Sequence, residues 1–333
     1  MCFGNKSRRV FDMTLLRLTL LLFAFIPSSL LAANTDNTAL VETAWLAKNL
    51  NNVVVLDIRT NKKNFLLQPV FKTKGNLTLV KLGGHIPGAR LILYKNVRGD
   101  RTIDGKTIKH MAVTGDQFEK LMQNAGVNQD SHIVITTNAE STFDLTMAAR
   151  MYWQVKYFGH DNVSILNGGT AQWLLDGHKF SITQDKPEPG NWQAQKARAS
   201  IFADSNETMT ASENSDTQLV DVRPLGQYLG AFKSSKAKEK GHIPTAKIFP
   251  VDLFSDHKSP VKFISANELK QLATALGVDG NQPLITYCNS GHMASGAWFA
   301  FHEILGNKNV KLYDGSMHQW THENRPVVSM KME

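Results

Sequence analysis

Two stretches of this chain spell the same motifs in the same order, and a repeat of that length restricts the architecture more tightly than any local propensity. Val53-Val54-Val55-Leu56-Asp57-Ile58-Arg59 returns as Gln218-Leu219-Val220-Asp221-Val222-Arg223, and Gly84-His85-Ile86-Pro87-Gly88-Ala89 returns as Gly241-His242-Ile243-Pro244-Thr245-Ala246. Ala125-Gly126-Val127 pairs with Leu276-Gly277-Val278. Asn162-Val163-Ser164-Ile165-Leu166-Asn167-Gly168-Gly169 pairs with Asn309-Val310-Lys311-Leu312-Tyr313-Asp314-Gly315-Ser316. The offset drifts only from 164 to 147 residues, as when surface loops change length and cores do not. Two long units read as a duplicated globular domain rather than a solenoid. A chain of 333 residues, 42% of them hydrophobic, can give each copy its own core.

Each copy alternates short β-branched runs with longer segments of helical period. In the second copy 218–221, 284–287 and 310–313 read as strands, and 266–276 and 294–305 as helices. This alternation predicts an α/β fold in each copy, a parallel sheet with helices on both faces. Asp185-Lys186-Pro187-Glu188-Pro189-Gly190 interrupts both periods, because proline and glycine block helix and ladder alike. The expected division is 34–185 for the first domain, 186–205 for a linker and 206–333 for the second, with a ligand cleft between the copies.

The first 33 residues resemble an export signal: Lys6, Arg8 and Arg9, then an apolar core over 18–26, then a small-residue exit over 28–33. Ser7-Arg8-Arg9-Val10-Phe11 also resembles a twin-arginine pattern, which Asp12 and Met13 break. Export to the periplasm is the expectation, with Cys2 discarded and no other membrane association. The formal charge is +8, and removing four basic groups and one acid in residues 1–33 leaves 8 − 3 = +5. That mild excess suits small anions. No arginine-rich or aromatic-interleaved basic strip points to nucleic acid.

Cys288 is then the one cysteine of the mature chain, so it cannot serve as a disulfide staple. It lies where an apolar run empties into Asn289-Ser290-Gly291-His292-Met293-Ala294, at the carboxyl end of a strand, the place where open parallel sheets bind ligands. Small residues let backbone N–H groups curl around the sulfur, and the following helix adds its positive end, so a thiolate held there would be stabilised. The plainer alternative is an inert cysteine packed at a strand end.

Strand-Asp-x-Arg, Gly-His-Ile-Pro-x-Ala, strand-Cys-loop-helix, and Asn-Val-x-x-x-(Asn/Asp)-Gly ahead of Trp173 and Trp320 together resemble the rhodanese family in its tandem, two-domain sulfurtransferase form, over roughly residues 40–330. The resemblance implies that Cys288 takes a sulfane sulfur from a small anionic donor such as thiosulfate, holds it as a persulfide in the 289–294 loop, and passes it to a small thiophilic acceptor, cyanide or a thiol. It implies no metal, nucleotide or redox cofactor. Aligning the repeats puts Asn138 opposite Cys288, and an amide cannot attack sulfur, so the first copy is the non-catalytic half. Its loop, 138–144, is about three residues longer and carries Glu140 and Asp144.

The loop departs from well-known members. Thiosulfate-type enzymes put basic residues directly after the cysteine, and an arginine after Asp-x-Arg; here stand Asn289, Ser290 and Gln227. Mercaptopyruvate-type loops read Cys-Gly-Ser-Gly, and in them a serine and a first-half histidine cooperate, which would be Ser290 and His85. A 3-mercaptopyruvate sulfurtransferase and a catalytically silent binding module are the alternatives. A phosphatase of the same fold would need an arginine where Ala294 stands. His292 reads either as a charge or hydrogen bond offered to departing sulfite, or as a solvated rim group. His85 and His242 read as turn stabilisers, with His242 a possible neighbour of the site. Asp221 and Arg223 read as a strand-end brace, with Arg223 a further candidate for anion binding. Lys233, Lys236, Lys238 and Lys240 form a solvated charge run or steer anions toward the cleft.

Overall fold

Strands whose residues are buried on both faces need helices on both sides, and β-branched runs such as Val53-Val54-Val55 supply such strands. A computed structural model describes Met1 and residues 38–330 apart from Gly75 and Ser215. The export segment read from the sequence therefore lies outside the described residues.

The first repeat contains β1 (Leu40–Val41), α1 (Thr43–Asn49), β2 (Val53–Arg59), the hairpin of β3 (Val70–Lys74) and β4 (Asn76–Lys81), and β5 (Arg90–Leu93). A second hairpin, β6 (Arg98–Ile103) with β7 (Lys106–Ala112), precedes α2 (Gly115–Asn124), β8 (His132–Thr136), α3 (Thr142–Tyr157), β9 (Val163–Leu166) and α4 (Gly169–Leu175). The second repeat contains β10 (Phe202–Ala203), α5 (Ser205–Glu213), β11 (Gln218–Asp221), α6 (Leu225–Tyr228), β12 (Lys247–Ile248), α7 (Ala266–Ala275), β13 (Leu284–Tyr287), α8 (His292–Phe299), β14 (Val310–Tyr313) and α9 (Ser316–His322).

The two sheets share one topology. Their strand orders are β1-β9-β8-β2-β5 and β10-β14-β13-β11-β12, and every pairing within them is parallel. Alternation along each strand sorts side chains between two layers. In β8, Ile133 and Ile135 face one core while Val134 faces another with Leu46 of α1 and Trp173 of α4. In β13, Leu284 joins the first of these cores, and Ile285 and Tyr287 join a third with Trp320.

That first core runs through both repeats, because α3 and α8 pack against each other along the seam. Tyr152 of α3 meets Phe299 of α8 edge-on at 4.9 Å, and each such buried aromatic contributes about 1.5–3 kcal/mol of burial. Gly296 permits the close approach: a Cβ there would stand 2.6 Å from Cγ2 of Thr146.

The connecting stretch is packed rather than loose. Gly190 N donates to Gln123 O, Trp192 N to Val127 O and Gln195 N to Phe158 O, and Trp192 is fully buried against the first repeat. The second sheet starts inside this stretch, with β10 pairing β14 at Phe202 and Ala203. Helix α8 ends at Phe299 and passes into a π-helical turn, Ala300–Ile304, so the apolar 294–305 run is helical but not uniformly α.

Candidate active site at the Cys288 loop

Strand β13 delivers Cys288 to its carboxyl end, and residues 289–291 turn the chain into α8. Gly291 makes this turn with φ +73°, and a Cβ there would collide with the Asp314 carboxylate and approach Nη1 of Arg150 to 2.8 Å. The loop is fastened from beneath by Ser316. Its Oγ accepts from Cys288 N at 3.0 Å and Gly291 N at 3.1 Å, donates to Tyr313 O at 2.8 Å, and lies 4.0 Å from Cys288 Sγ. Ser316 reaches this position with φ +49°, unusual for a residue with a side chain. Met317 N and His318 N close the loop further by donating to Cys288 O and Asn289 O.

Among the described residues, none accepts from the N–H groups of Asn289, Ser290, His292 or Met293. Four free donors thus cluster around a short loop at a helix start. Cys288 is 1% exposed, and the one hydrogen-bond-range neighbour of its sulfur among the described residues is the Ser316 hydroxyl. An open cleft between the copies is not what the structure has here; the seam is closed over the thiol.

The first repeat reaches into this loop. Arg150 of α3 is fully buried; its Nη1 pairs with Oδ1 of Asp314 at 2.5 Å and contacts Gly291 O at 3.5 Å, while its Nε and Nη2 have no partner among the described residues. The other oxygen of Asp314 accepts from Ala112 N of β7 at 2.7 Å. His292 is clasped on both ring nitrogens, Nδ1 by the Tyr94 hydroxyl and Nε2 by the Thr146 hydroxyl at 2.7 Å, and Phe143 stacks on it at 4.3 Å.

This corrects the expectation for His292, which is buried rather than solvated on a rim. Its pKa lies well below the ordinary histidine value, because burial penalises the cation and Arg98, Arg150 and Lys236 repel it. It is a neutral ring at physiological pH and offers no charge to a leaving anion. Burial likewise raises the Tyr94 pKa, so the hydroxyl that meets His292 keeps its proton.

The remaining sequence-selected residues fall in three groups. Asn289 and Ser290 are buried in the loop, Ala294 is buried in α8 and Met293 packs against the core, with Asn289 Nδ2 donating to Gln227 Oε1 at 2.9 Å. Asp221 and Arg223 form a buried pair whose guanidinium also donates to Gly241 O at 2.8 Å, and Asp57 and Arg59 repeat it on Gly84 O at 2.8 Å. His242 stacks on Tyr228 at 3.8 Å with Nδ1 on Tyr228 O, and His85 stacks on Phe65 at 3.7 Å. Both His85 nitrogens face backbone carbonyls, of Ile86 and Thr183, and no hydrogen bond among the described residues joins His85 to Ser290.

Sequence reasoning missed Arg150, Tyr94, Thr146, Asp314 and Ser316. Asp314 and Ser316 left a trace, since they replace Asn167 and Gly169 inside a repeated motif.

The rhodanese-like domain family model matches this chain twice, over residues 42–176 and 204–323. A protein named "Putative thiosulfate sulfurtransferase" from Saccharopolyspora erythraea is 32% identical over 288 residues, 85% of this chain and 92% of its own length. The thiosulfate sulfurtransferase of Bos taurus is 29% identical over 299 residues, 86% of this chain and 93% of its own. Among solved structures, Escherichia coli SseA, presented as showing the rhodanese fold and catalytic mechanism of 3-mercaptopyruvate sulfotransferases, aligns with TM-score 0.67 at 26% identity. The alignment spans 84% of this chain and 98% of SseA. With two matched domains built on one strand order and a relative at 32% identity along most of its length, the chain belongs to the rhodanese family and is a tandem-domain sulfurtransferase similar to the thiosulfate sulfurtransferases.

Proposed function

We propose that the protein moves a sulfane sulfur from thiosulfate to a thiophilic acceptor through a persulfide on Cys288. The Cys288 thiolate attacks the outer sulfur of thiosulfate, the S–S bond of the donor breaks, and sulfite departs with the electron pair. The outer sulfur remains as Cys288–S–S⁻. Cyanide or a thiolate then attacks that sulfur, and the Cys288 thiolate returns.

The observation that carries this reading is the set of N–H groups at Asn289, Ser290, His292 and Met293 with no acceptor among the described residues, gathered at the start of α8 beside the sulfur. Such donors stabilise a terminal anionic sulfur without a counter-cation. With Cys288 buried, its sulfur is reached only when the seam around it moves, so opening precedes attack. The test is incubation of the full chain with thiosulfate followed by peptide mass analysis. The Cys288 peptide gains the mass of one sulfur, and cyanide removes it; no gain with any sulfane donor overturns the reading.

A preference for 3-mercaptopyruvate is the second reading, supported by the likeness to SseA. The commitment of His85 to two carbonyls, away from Ser290, favours thiosulfate. Parallel steady-state assays with the two donors separate them. Export of the enzyme is likewise proposed on the pattern of residues 1–33, and alkaline phosphatase fused after that segment tests it: activity is expected only if the segment leads it out of the cytoplasm.

A further inference from the structure

Two of the positions where thiosulfate-type enzymes carry cations hold a pair of amides bonded to each other, Asn289 Nδ2 to Gln227 Oε1 at 2.9 Å. A dianionic donor drawn to this loop needs positive charge from elsewhere. Two segments from opposite repeats converge on α9, the helix whose first residue fastens the cysteine loop. The β6–β7 hairpin is pinned to it by Lys109 N donating to His318 Nδ1 at 3.3 Å, and the lysine run by Lys238 N donating to Thr321 Oγ1 at 2.9 Å. His318 and Thr321 lie about one turn apart, so the segments sit side by side.

Each segment brings a cation with no side-chain hydrogen bond or ion pair among the described residues. Arg98, at the base of the hairpin, places its guanidinium 4.5 Å above the Tyr94 ring, whose hydroxyl meets His292. Its Nε is buried without a partner, and no ion pair engages it among the described residues. In the lysine run, Lys233 Nζ donates to Ala237 O and Lys240 Nζ to Ala231 O, so both are committed to their own loop. Neither Lys236 nor Lys238 makes such a bond through Nζ among the described residues, and of the two Lys236 is half-buried while Lys238 is exposed. Of the nearby carboxylates, Asp314 is paired with Arg150, and Asp100, which accepts His110 N, forms no ion pair with either cation among the described residues. Arg98 and Lys236 both disfavour the protonated forms of His292 and of His110.

We propose that Arg98 and Lys236, one from each repeat, form the anion-binding element that draws and orients the oxyanion end of the sulfur donor above the Cys288 loop. This rests on Cys288 being the sulfur-transferring residue, and the test separates the two ideas. Alkylation of the full chain by iodoacetate and by iodoacetamide, read on the Cys288 peptide, reports the potential at the thiol without turnover. The iodoacetate-to-iodoacetamide rate ratio is expected to fall about threefold in Arg98→Gln and in Lys236→Gln, and about tenfold in the double variant. Lys240→Gln keeps the wild-type ratio. With thiosulfate, KM for the donor rises in both variants while KM for cyanide holds.

An unchanged ratio in the double variant overturns the proposal. If Arg98→Gln does not fold, Lys236→Gln decides alone, and an unchanged ratio there overturns it equally. A ratio that falls as expected in a protein that never takes sulfur from any donor leaves the anion element standing and removes the transfer reading.

Discussion

Asn167 and Asp314 occupy the same place in their repeats, and each accepts a backbone N–H from the opposite domain, Phe263 N at 3.2 Å in one case and Ala112 N at 2.7 Å in the other. The symmetry ends there. The carboxylate of Asp314 also captures Arg150, which Asn167 has no charge to do. Two residues on, Gly169 adopts φ +54° with nothing to offer, while Ser316 adopts φ +49° and commits its hydroxyl to two loop amides. At the loop itself Asn138 stands against Cys288. Three exchanges on one scaffold separate the two loops, and the copy that carries Asn138 grips the one that carries Cys288.

The comparison breaks most sharply at the nucleophile. Cys288→Ser is expected to lower sulfur transfer by about three orders of magnitude or more, and Asn138→Cys to gain none, because no hydroxyl equivalent to Ser316 underpins that loop. Single-turnover sulfur loading measures both. Asp314→Asn, which copies the first repeat into the second, leaves Arg150 buried without a counter-charge and should cost about 3–5 kcal/mol in denaturant unfolding. A loss under about 1 kcal/mol would mean that the pair does not hold the loop.

Ser316→Gly makes the same exchange at the brace. Two buried amides lose their acceptor, partly offset by relief of the left-handed backbone, for a net cost of about 1–2 kcal/mol and a turnover drop of about tenfold. Turnover equal to wild type would show that the hydroxyl is dispensable.

The smallest effect is in pH. His292 has a folded pKa depressed below the unfolded value of about 6.5, so below that pH the unfolded chain binds the extra proton and stability falls as pH falls. His292 adds up to about 1.4 kcal/mol per pH unit to this slope, and His292→Gln should flatten it by that amount in unfolding measured from about pH 7 to pH 5. An unaltered slope would mean that His292 titrates normally in the folded state.

What the sequence disclosed follows from range. Asp57-x-Arg59 and Asp221-x-Arg223 are legible because the brace closes within two residues and reaches one glycine carbonyl supplied by the next motif. Strand ends at Asp221, Tyr287 and Tyr313 are readable because β-branched and aromatic runs stop abruptly at turn residues. Arg150 is not, since nothing local marks a buried cation whose partner lies 164 residues onward. The role of His292 is misread for the same reason. Its two clasping hydroxyls come from Tyr94 and Thr146, in the other repeat, and loop context alone suggests exposure. The lysine run shows the intermediate case: composition locates the charge, and only folding sets the half-buried Lys236 apart from the exposed Lys233, Lys238 and Lys240.

The seam between α3 and α8 also bears on how the chain can be divided. Helix α8 is buried along nearly its whole length, and much of what covers it comes from α3. A protease cut in the packed connecting stretch would therefore yield fragments that stay associated and co-elute, behaving as an obligate heterodimer. The C-terminal fragment made alone would lack Arg150, Tyr94 and Thr146, and would meet the solvent with a greasy stripe that invites aggregation.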